Sequence, residues 1–96
     1  MLEIERIDVN GKTAFGLKLE LDPAPVLLIR AKNGLIGCGF FNIEVADKLG
    51  VPFVIISGVK NISDMLEKKP TAISKKAQEM GITKDMTGRE IIEKLS

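Results

Sequence analysis

The chain has 96 residues, of which 45% are hydrophobic, and a formal net charge of +1 at pH 7. This length predicts a single domain over residues 1–96, which can bury a core without disulfides or a structural metal. The balanced charge argues against a nucleic-acid partner. The single cysteine, the lack of an apolar leader and the shortness of the apolar runs predict a cytoplasmic protein with no membrane partner.

The composition also limits the chemistry, because the chain contains no His, Tyr or Trp. Histidine is the usual base near neutral pH and the commonest neutral metal ligand. Zinc sites and Ser-His or Cys-His pairs within one chain are therefore excluded, and we expect no metal site. Any catalysis would depend on Cys38, on Lys, Asp or Glu side chains, or on backbone amides.

The first segment, residues 2–9, has apolar positions that change parity halfway, which predicts a strand with a β-bulge near Glu5 and Arg6. The pair Asn10-Gly11 follows and predicts a hairpin, since both residues tolerate positive φ. Its loop could have two or three residues.

Residues 13–21 alternate apolar and polar, which predicts a second strand with Phe15, Leu17 and Leu19 on a buried face. The sequence Asp22-Pro-Ala-Pro25 then ends this strand, because proline cannot donate a ladder hydrogen bond.

A second hairpin is predicted where the segment Val26 to Lys32 meets the turn pair Asn33-Gly34. If these two residues form the loop, Cys38 lies opposite Ile29 and shares the apolar face of the sheet. A thiol on that face behaves as a small hydrophobic group.

The next segments predict a helix between two strands. Asn42 is a good N-cap and Gly50 a good stop, so a helix of about two turns lies between them. The apolar run from Val51 to Gly58 then predicts a strand buried on both faces. A right-handed parallel crossover places this strand beside the strand from Leu35 to Gly39, or one place away.

Three more helical segments complete the chain. The first is capped by Asn61 or Ser63, and the second by Thr71. The third begins with Thr87 and Glu90 at capping-box spacing. The predicted fold class is α+β: two antiparallel β-hairpins plus a βαβ-type crossover strand, the sheet packed against three to four short helices.

Cys38 is the one candidate catalytic residue, because it lies near the end of a strand and just before a helix N-terminus, where a thiolate is favoured. Its inward parity and apolar neighbours favour the alternative, a buried structural thiol. On this second interpretation, replacement by Ser would destabilise the protein more than replacement by Ala, because Ser buries a hydroxyl.

A ligand site is predicted where two strand-to-helix loops open at the same edge of the sheet. Backbone N–H groups and a lysine there could bind a small anion such as phosphate. The stretch from Gly34 to Gly39 matches neither a phosphate loop nor a dinucleotide fingerprint, so we expect no cofactor. As the alternative, these residues form only turns and helix caps. The candidate ligand-binding residues are Gly39, Asn42, Ser57, Gly58, Lys60 and Asn61.

The helices suffice to cover only one side of the sheet, so we expect a homo-oligomer in which another copy of the chain covers the rest. The sequence thus predicts an oligomeric binding or regulatory module for a small ligand or protein partner. The alternative function is a small enzyme that uses Cys38.

The order of segments from Val26 to Leu95 resembles the YunC-like family of small bacterial and archaeal proteins. The residues that carry the resemblance are Cys38-Gly39, Gly81-Ile82 and the segment from Met86 to Ile91. The resemblance implies a compact α+β fold and a domain of unknown function, and it assigns no reaction and no catalytic residue.

Overall fold

The structure is a computed structural model that describes all residues from 1 to 96. The strands are β1 (Leu2–Val9), β2 (Lys12–Leu19), β3 (Val26–Ala31), β4 (Gly34–Gly37), β5 (Phe53–Ile55) and β6 (Ala72–Ile73). The helices are α1 (Ile43–Leu49), α2 (Ile62–Glu67), α3 (Lys75–Glu79) and α4 (Gly88–Lys94). No helix has the length and hydropathy needed to cross a membrane.

The six strands form one sheet in which the spatial order follows the chain, from β1 at one edge to β6 at the other. All neighbours are antiparallel except β4 and β5, which are parallel and joined through α1. The predicted α+β class, with two hairpins and a βαβ-type crossover, is therefore confirmed.

The first hairpin has a two-residue loop, with Asn10 at φ 49° and Gly11 at φ 79°. Its ladder runs without interruption from Leu2 opposite Leu19 to Val9 opposite Lys12. The predicted bulge is therefore wrong. The change of parity in β1 arises because this strand carries apolar residues on both faces.

The second hairpin closes one residue earlier along the chain than predicted, with Lys32 and Asn33 in its loop. Ile29 consequently lies opposite Ile36 rather than Cys38. A partner shifted by two residues stays on the same face of the sheet. The loop considered from the sequence, Asn33-Gly34, is therefore not the one that forms. The predicted inward position of Cys38 is confirmed, since this residue is only 4% exposed.

One face of the sheet, here called the core face, packs against helices α2 and α4. Its strand residues are Ile7, Ala14, Leu27, Ile29, Ile36 and Val54. The helices supply Ile62, Met65, Ile91, Ile92 and Leu95. These fully or almost fully buried side chains form the main core.

The opposite face, here called the outer face, is covered only beside β4 and β5, where Ala46 of α1 packs against Phe53 and Ile55. Asn42 caps this helix by accepting a hydrogen bond from the N–H of Glu44 at 2.8 Å. Gly50 ends it in the left-handed region at φ 70°. The predicted bounds of this helix are confirmed.

Two of the three later helices begin as predicted. The Asn61 side chain accepts from the N–H of Asp64 at 2.8 Å, and the N–H of Thr87 donates to Glu90 at 3.0 Å. The Thr71 cap is wrong, because residues 72 and 73 form β6 and Ser74 caps α3 instead.

Candidate functional site

The two strand-to-helix loops lie side by side at one edge of the sheet. β4 and β5 are parallel, so the loops that follow their carboxyl ends meet there. A Cβ atom placed on Gly39 would lie 3.4 Å from the Oγ atom of Ser57. Gly39 and Gly58 line the same cavity of about 270 Å³. The structure therefore brings Gly39, Ser57 and Gly58 together, as the sequence predicted.

The walls of this cavity are mainly apolar. The loop between β2 and β3 adds two small residues to those of the strand-end loops. The lining residues are Ala24, Pro25, Cys38, Gly39, Phe40, Gly58 and Val59. None of these side chains carries a charge, so the cavity wall itself offers little to an anion.

The remaining predicted ligand residues act at helix ends and do not line the cavity. Asn42 and Asn61 accept hydrogen bonds from the first turns of α1 and α2. The backbone N–H of Lys60 donates to the Asp64 carboxylate at 3.0 Å. The Ser57 and Thr71 hydroxyls lie 3.1 Å apart and share a hydrogen bond. Local hydrogen bonds therefore involve the Asn42 and Asn61 side chains, the Ser57 hydroxyl and the backbone of Lys60.

One cation contacts the strand-end loops, and it is Lys68, which is not among the predicted ligand residues. Its ammonium group donates to the carbonyl oxygen of Gly58 at 2.6 Å. Lys68 follows the last turn of α2, ten residues after Gly58, and no local sequence signal connects the two.

Cys38 belongs to the main core and is integrated into the end of the sheet. Its N–H donates to the Leu27 carbonyl at 3.1 Å, and its sulfur accepts from the Leu27 N–H at 3.3 Å. Its carbonyl turns away and accepts from the N–H of Phe41 at 3.2 Å. No group of three Cys, Asp or Glu side chains is placed to bind a metal ion.

A second candidate site is the uncovered part of the outer face, on β1 to β3, here called the open half. Two rows of apolar side chains cross it, one through Ile4, Leu17 and Leu28 and one through Leu2 and Leu19. Ile4 is 64% exposed and Phe15, in the next row, 47% exposed.

The predicted buried face of β2 is therefore wrong. The residues of β2 that face the core are Ala14 and Gly16, both buried. A Cβ atom on Gly16 would lie 3.1 Å from Ile62 of α2, so the helix leaves room only for small residues on this face. The large apolar residues of β2 are consequently on the side that no helix covers.

Charged groups bound the open half at the tip of the first hairpin. Asp8 accepts hydrogen bonds from the Thr13 hydroxyl at 2.9 Å and from the Arg6 guanidinium at 3.2 Å. The Thr13 hydrogen bond, followed by that of Arg6, holds the pKa of the Asp8 carboxyl below its usual value. This end of the face thus stays charged at neutral pH, and Arg6 stands in the same row as Phe15.

These features define a class of small α+β proteins with one mixed sheet, a core on one face and a partly open second face. The model of the family described as Domain of unknown function (DUF1805) matches residues 37–95, and the chain belongs to that family. The match includes both strand-end loops and all four helices.

A crystal structure of the protein of unknown function TA1206 from Thermoplasma acidophilum is similar over the whole chain. The two are 36% identical, with a TM-score of 0.94, and the similarity covers 100% of this chain and 94% of that one. No curated protein matches the chain.

Proposed function

We propose that this protein is a homo-oligomeric binding module that associates through the open half. The observation that carries the proposal is the one-sided distribution of exposed apolar side chains. On the strands they all lie on the outer face: Leu2, Ile4, Phe15 and Leu19. Contiguous apolar patches on a protein surface usually mark an interaction site.

Burying these four residues favours association, but it does not by itself give a stable dimer. Burying a fully exposed Leu, Ile or Phe contributes about 1.5–3 kcal/mol, so a half-exposed one contributes about 1 kcal/mol. Four residues from each of two copies would contribute about 8 kcal/mol. Association costs about 4–15 kcal/mol of free energy, because the two copies lose translational and rotational freedom. The strand residues alone therefore give a marginal dimer, and a stable one needs further surface.

Sedimentation equilibrium over a range of micromolar concentrations tests this proposal. We expect the wild-type chain to sediment at twice its 10.5 kDa mass. Ile4→Lys should sediment as a monomer, because it places a charge in the apolar row of Ile4, Leu17 and Leu28. Ser63→Lys is the matched control, since Ser63 is exposed on α2, which packs on the other face.

Circular dichroism must show that Ile4→Lys keeps its fold, as expected for a side chain that is mostly exposed. A wild-type chain that stays monomeric at tens of micromolar would contradict the proposal. So would a folded Ile4→Lys variant that dimerises as well as the control.

The small anion at the strand-end loops stays a prediction, supported by the Lys68 ammonium beside Gly58. A phosphate titration that shifts the amide signals of Gly39 and Gly58 would support it, and no shift there would contradict it.

The cytoplasmic location and the YunC-like relationship also stay predictions. No contact in the strand-end site favours the cysteine enzyme over a structural thiol.

A further inference from the structure

The outer face carries a second apolar surface next to the open half, on the flank of α1. A groove of about 350 Å³ lies along this helix, and eight of its nine lining residues are hydrophobic. Leu35 of β4 forms part of its floor, and Val45 and Leu49 of α1 form part of its wall. Val45 is 55% and Leu49 71% exposed.

The groove meets the open half through Leu28 of β3, which pairs with Leu17 of β2. Along the next row, the exposed Arg30 lies between Leu35 of β4 and Phe15 of β2. Leu28 of β3 packs against the same small cluster as α1. The outer face therefore has the shape of a step: a raised helix with an apolar flank beside a low apolar sheet.

We propose that two copies of this chain pair outer face to outer face, so that α1 of each copy covers the open half of the other. This inference rests on the homo-oligomer proposed above and specifies its interface. A step is complementary to itself when the second copy is rotated by 180° about an axis parallel to the strands. The rotation exchanges the raised and low halves, and the resulting interface is isologous.

The dimensions of the elements fit this arrangement. Strands in a sheet lie about 4.8 Å apart, and packed helices lie about 8–10 Å apart. The partner's α1 would therefore pack beside α1 at a distance of about two strands, over β2 and β3. Two helices would then fill the space between two sheets, each helix touching its own sheet and that of its partner.

The same axis also predicts which residues meet. Rotation about an axis parallel to the strands leaves the level along the strands unchanged. Leu49 shares its groove with Leu35, which stands in the same row as Phe15. The partner's Leu49 would therefore lie at the level of Phe15.

The exposed apolar area is adequate for such an interface. Seven large residues that are roughly half exposed or more surround the step: Leu2, Ile4, Phe15, Leu19, Phe40, Val45 and Leu49. Together they expose more than the few hundred Å² that monomers usually leave uncovered. With the polar residues around them included, the buried area would approach the roughly 800 Å² that each partner of a standard interface buries.

Two variants with opposite charges test whether α1 of each copy covers the open half of the other. Phe15→Glu and Leu49→Lys each replace an exposed residue, so both should fold. Each variant alone puts two charges against apolar partners in its homodimer, and we expect its dissociation constant to rise at least tenfold. In an equimolar mixture, the heterodimer has one native contact and one Glu–Lys contact. Native mass spectrometry should show this heterodimer in excess over both homodimers.

The controls are Ser63→Glu and Ser63→Lys, whose mixture should give the statistical distribution of dimers. The inference is overturned if Leu49→Lys dimerises as the wild type does while Phe15→Glu does not, because the open halves would then pair directly. Unchanged dimerisation of both variants would indicate pairing through the β1 edge and would also overturn it. So would two monomeric variants that form no heterodimer. If the wild type is monomeric, the proposed function is overturned as well, and the partner of the open half would be a different protein.

Discussion

At the scale of single residues, the sulfur of Cys38 takes the place of a backbone carbonyl as a hydrogen-bond acceptor in the sheet. The Leu27 N–H points towards β4, where the backbone carbonyl of Cys38 would normally accept it. That carbonyl is used by Phe41, so the Cys38 sulfur accepts instead. Leu27 is fully buried, and the sulfur is the acceptor that its N–H has in this structure. The side chain thus satisfies a buried donor at the point where the strand ends.

The hydrogen bond from the Leu27 N–H to the Cys38 sulfur reverses the order of stability that the sequence predicts for the Ala and Ser variants of Cys38. Cys38→Ala leaves the Leu27 N–H without a partner and a small cavity, so we expect a loss of about 2 kcal/mol. Cys38→Ser keeps an acceptor, and we expect a loss of about 1 kcal/mol. Urea denaturation of the three proteins measures both values. A Ser variant less stable than the Ala variant would show that the hydrogen bond is unimportant.

Alkylation of the same thiol distinguishes the structural role from the enzyme. Because Cys38 is buried, iodoacetamide should react with the folded protein much more slowly than with a free thiol at pH 6. A folded-state reaction faster than that of a free thiol would instead favour the cysteine enzyme.

At the scale of elements, α4 and α2 approach so closely that only glycine fits between them. A Cβ atom on Gly88 would overlap the carbonyl oxygen of Met65 in α2. The N–H of Gly88 also donates to the Lys68 carbonyl at 3.1 Å, which joins the start of α4 to the end of α2. Both contacts involve backbone atoms, which side-chain rotation cannot relieve.

We therefore expect Gly88→Ala to destabilise the protein by about 3 kcal/mol. The matched control is Gly39→Ala, whose Cβ would meet Ser57 at an ordinary 3.4 Å and should change stability by less than about 1 kcal/mol. Urea denaturation again provides the measurement. Equal stability of the two variants would contradict the close helix contact.

Elements with strong end signals could be predicted from the sequence. Asn42 and Gly50 bound α1 because a cap side chain and a left-handed glycine act within a few residues. β6 could not be predicted, because its two residues are held from far along the chain. Ser74 donates to Val51, accepts from the N–H of Phe53 at 2.9 Å and caps α3, which displaces Thr71 from that role.

The alternation in β2 shows why the candidate site was only partly predictable. A period of two identifies two faces of a strand and does not identify which of them meets the core. Here Ala14 and Gly16 face the core, Gly16 lies against Ile62 of α2, and the larger Phe15 faces outwards. That choice depends on the close approach of Ile62, a residue 46 positions away from Gly16, which no local pattern encodes.

At the scale of the whole molecule, the two faces of the sheet are unequal. The core face is closed by α2 and α4, whereas α1 closes only part of the outer face. The central claim is that a second copy completes the outer face.

Isotope-filtered NOE spectroscopy tests this claim most directly. A dimer is assembled from one copy with labelled Val and Leu methyl groups and one unlabelled copy, so that only contacts between copies are detected. We predict NOEs from the Val45 and Leu49 methyl groups of one copy to the Phe15 ring of the other. Their absence in a sample that sediments as a dimer, or NOEs confined to the two β1 strands, would contradict the account.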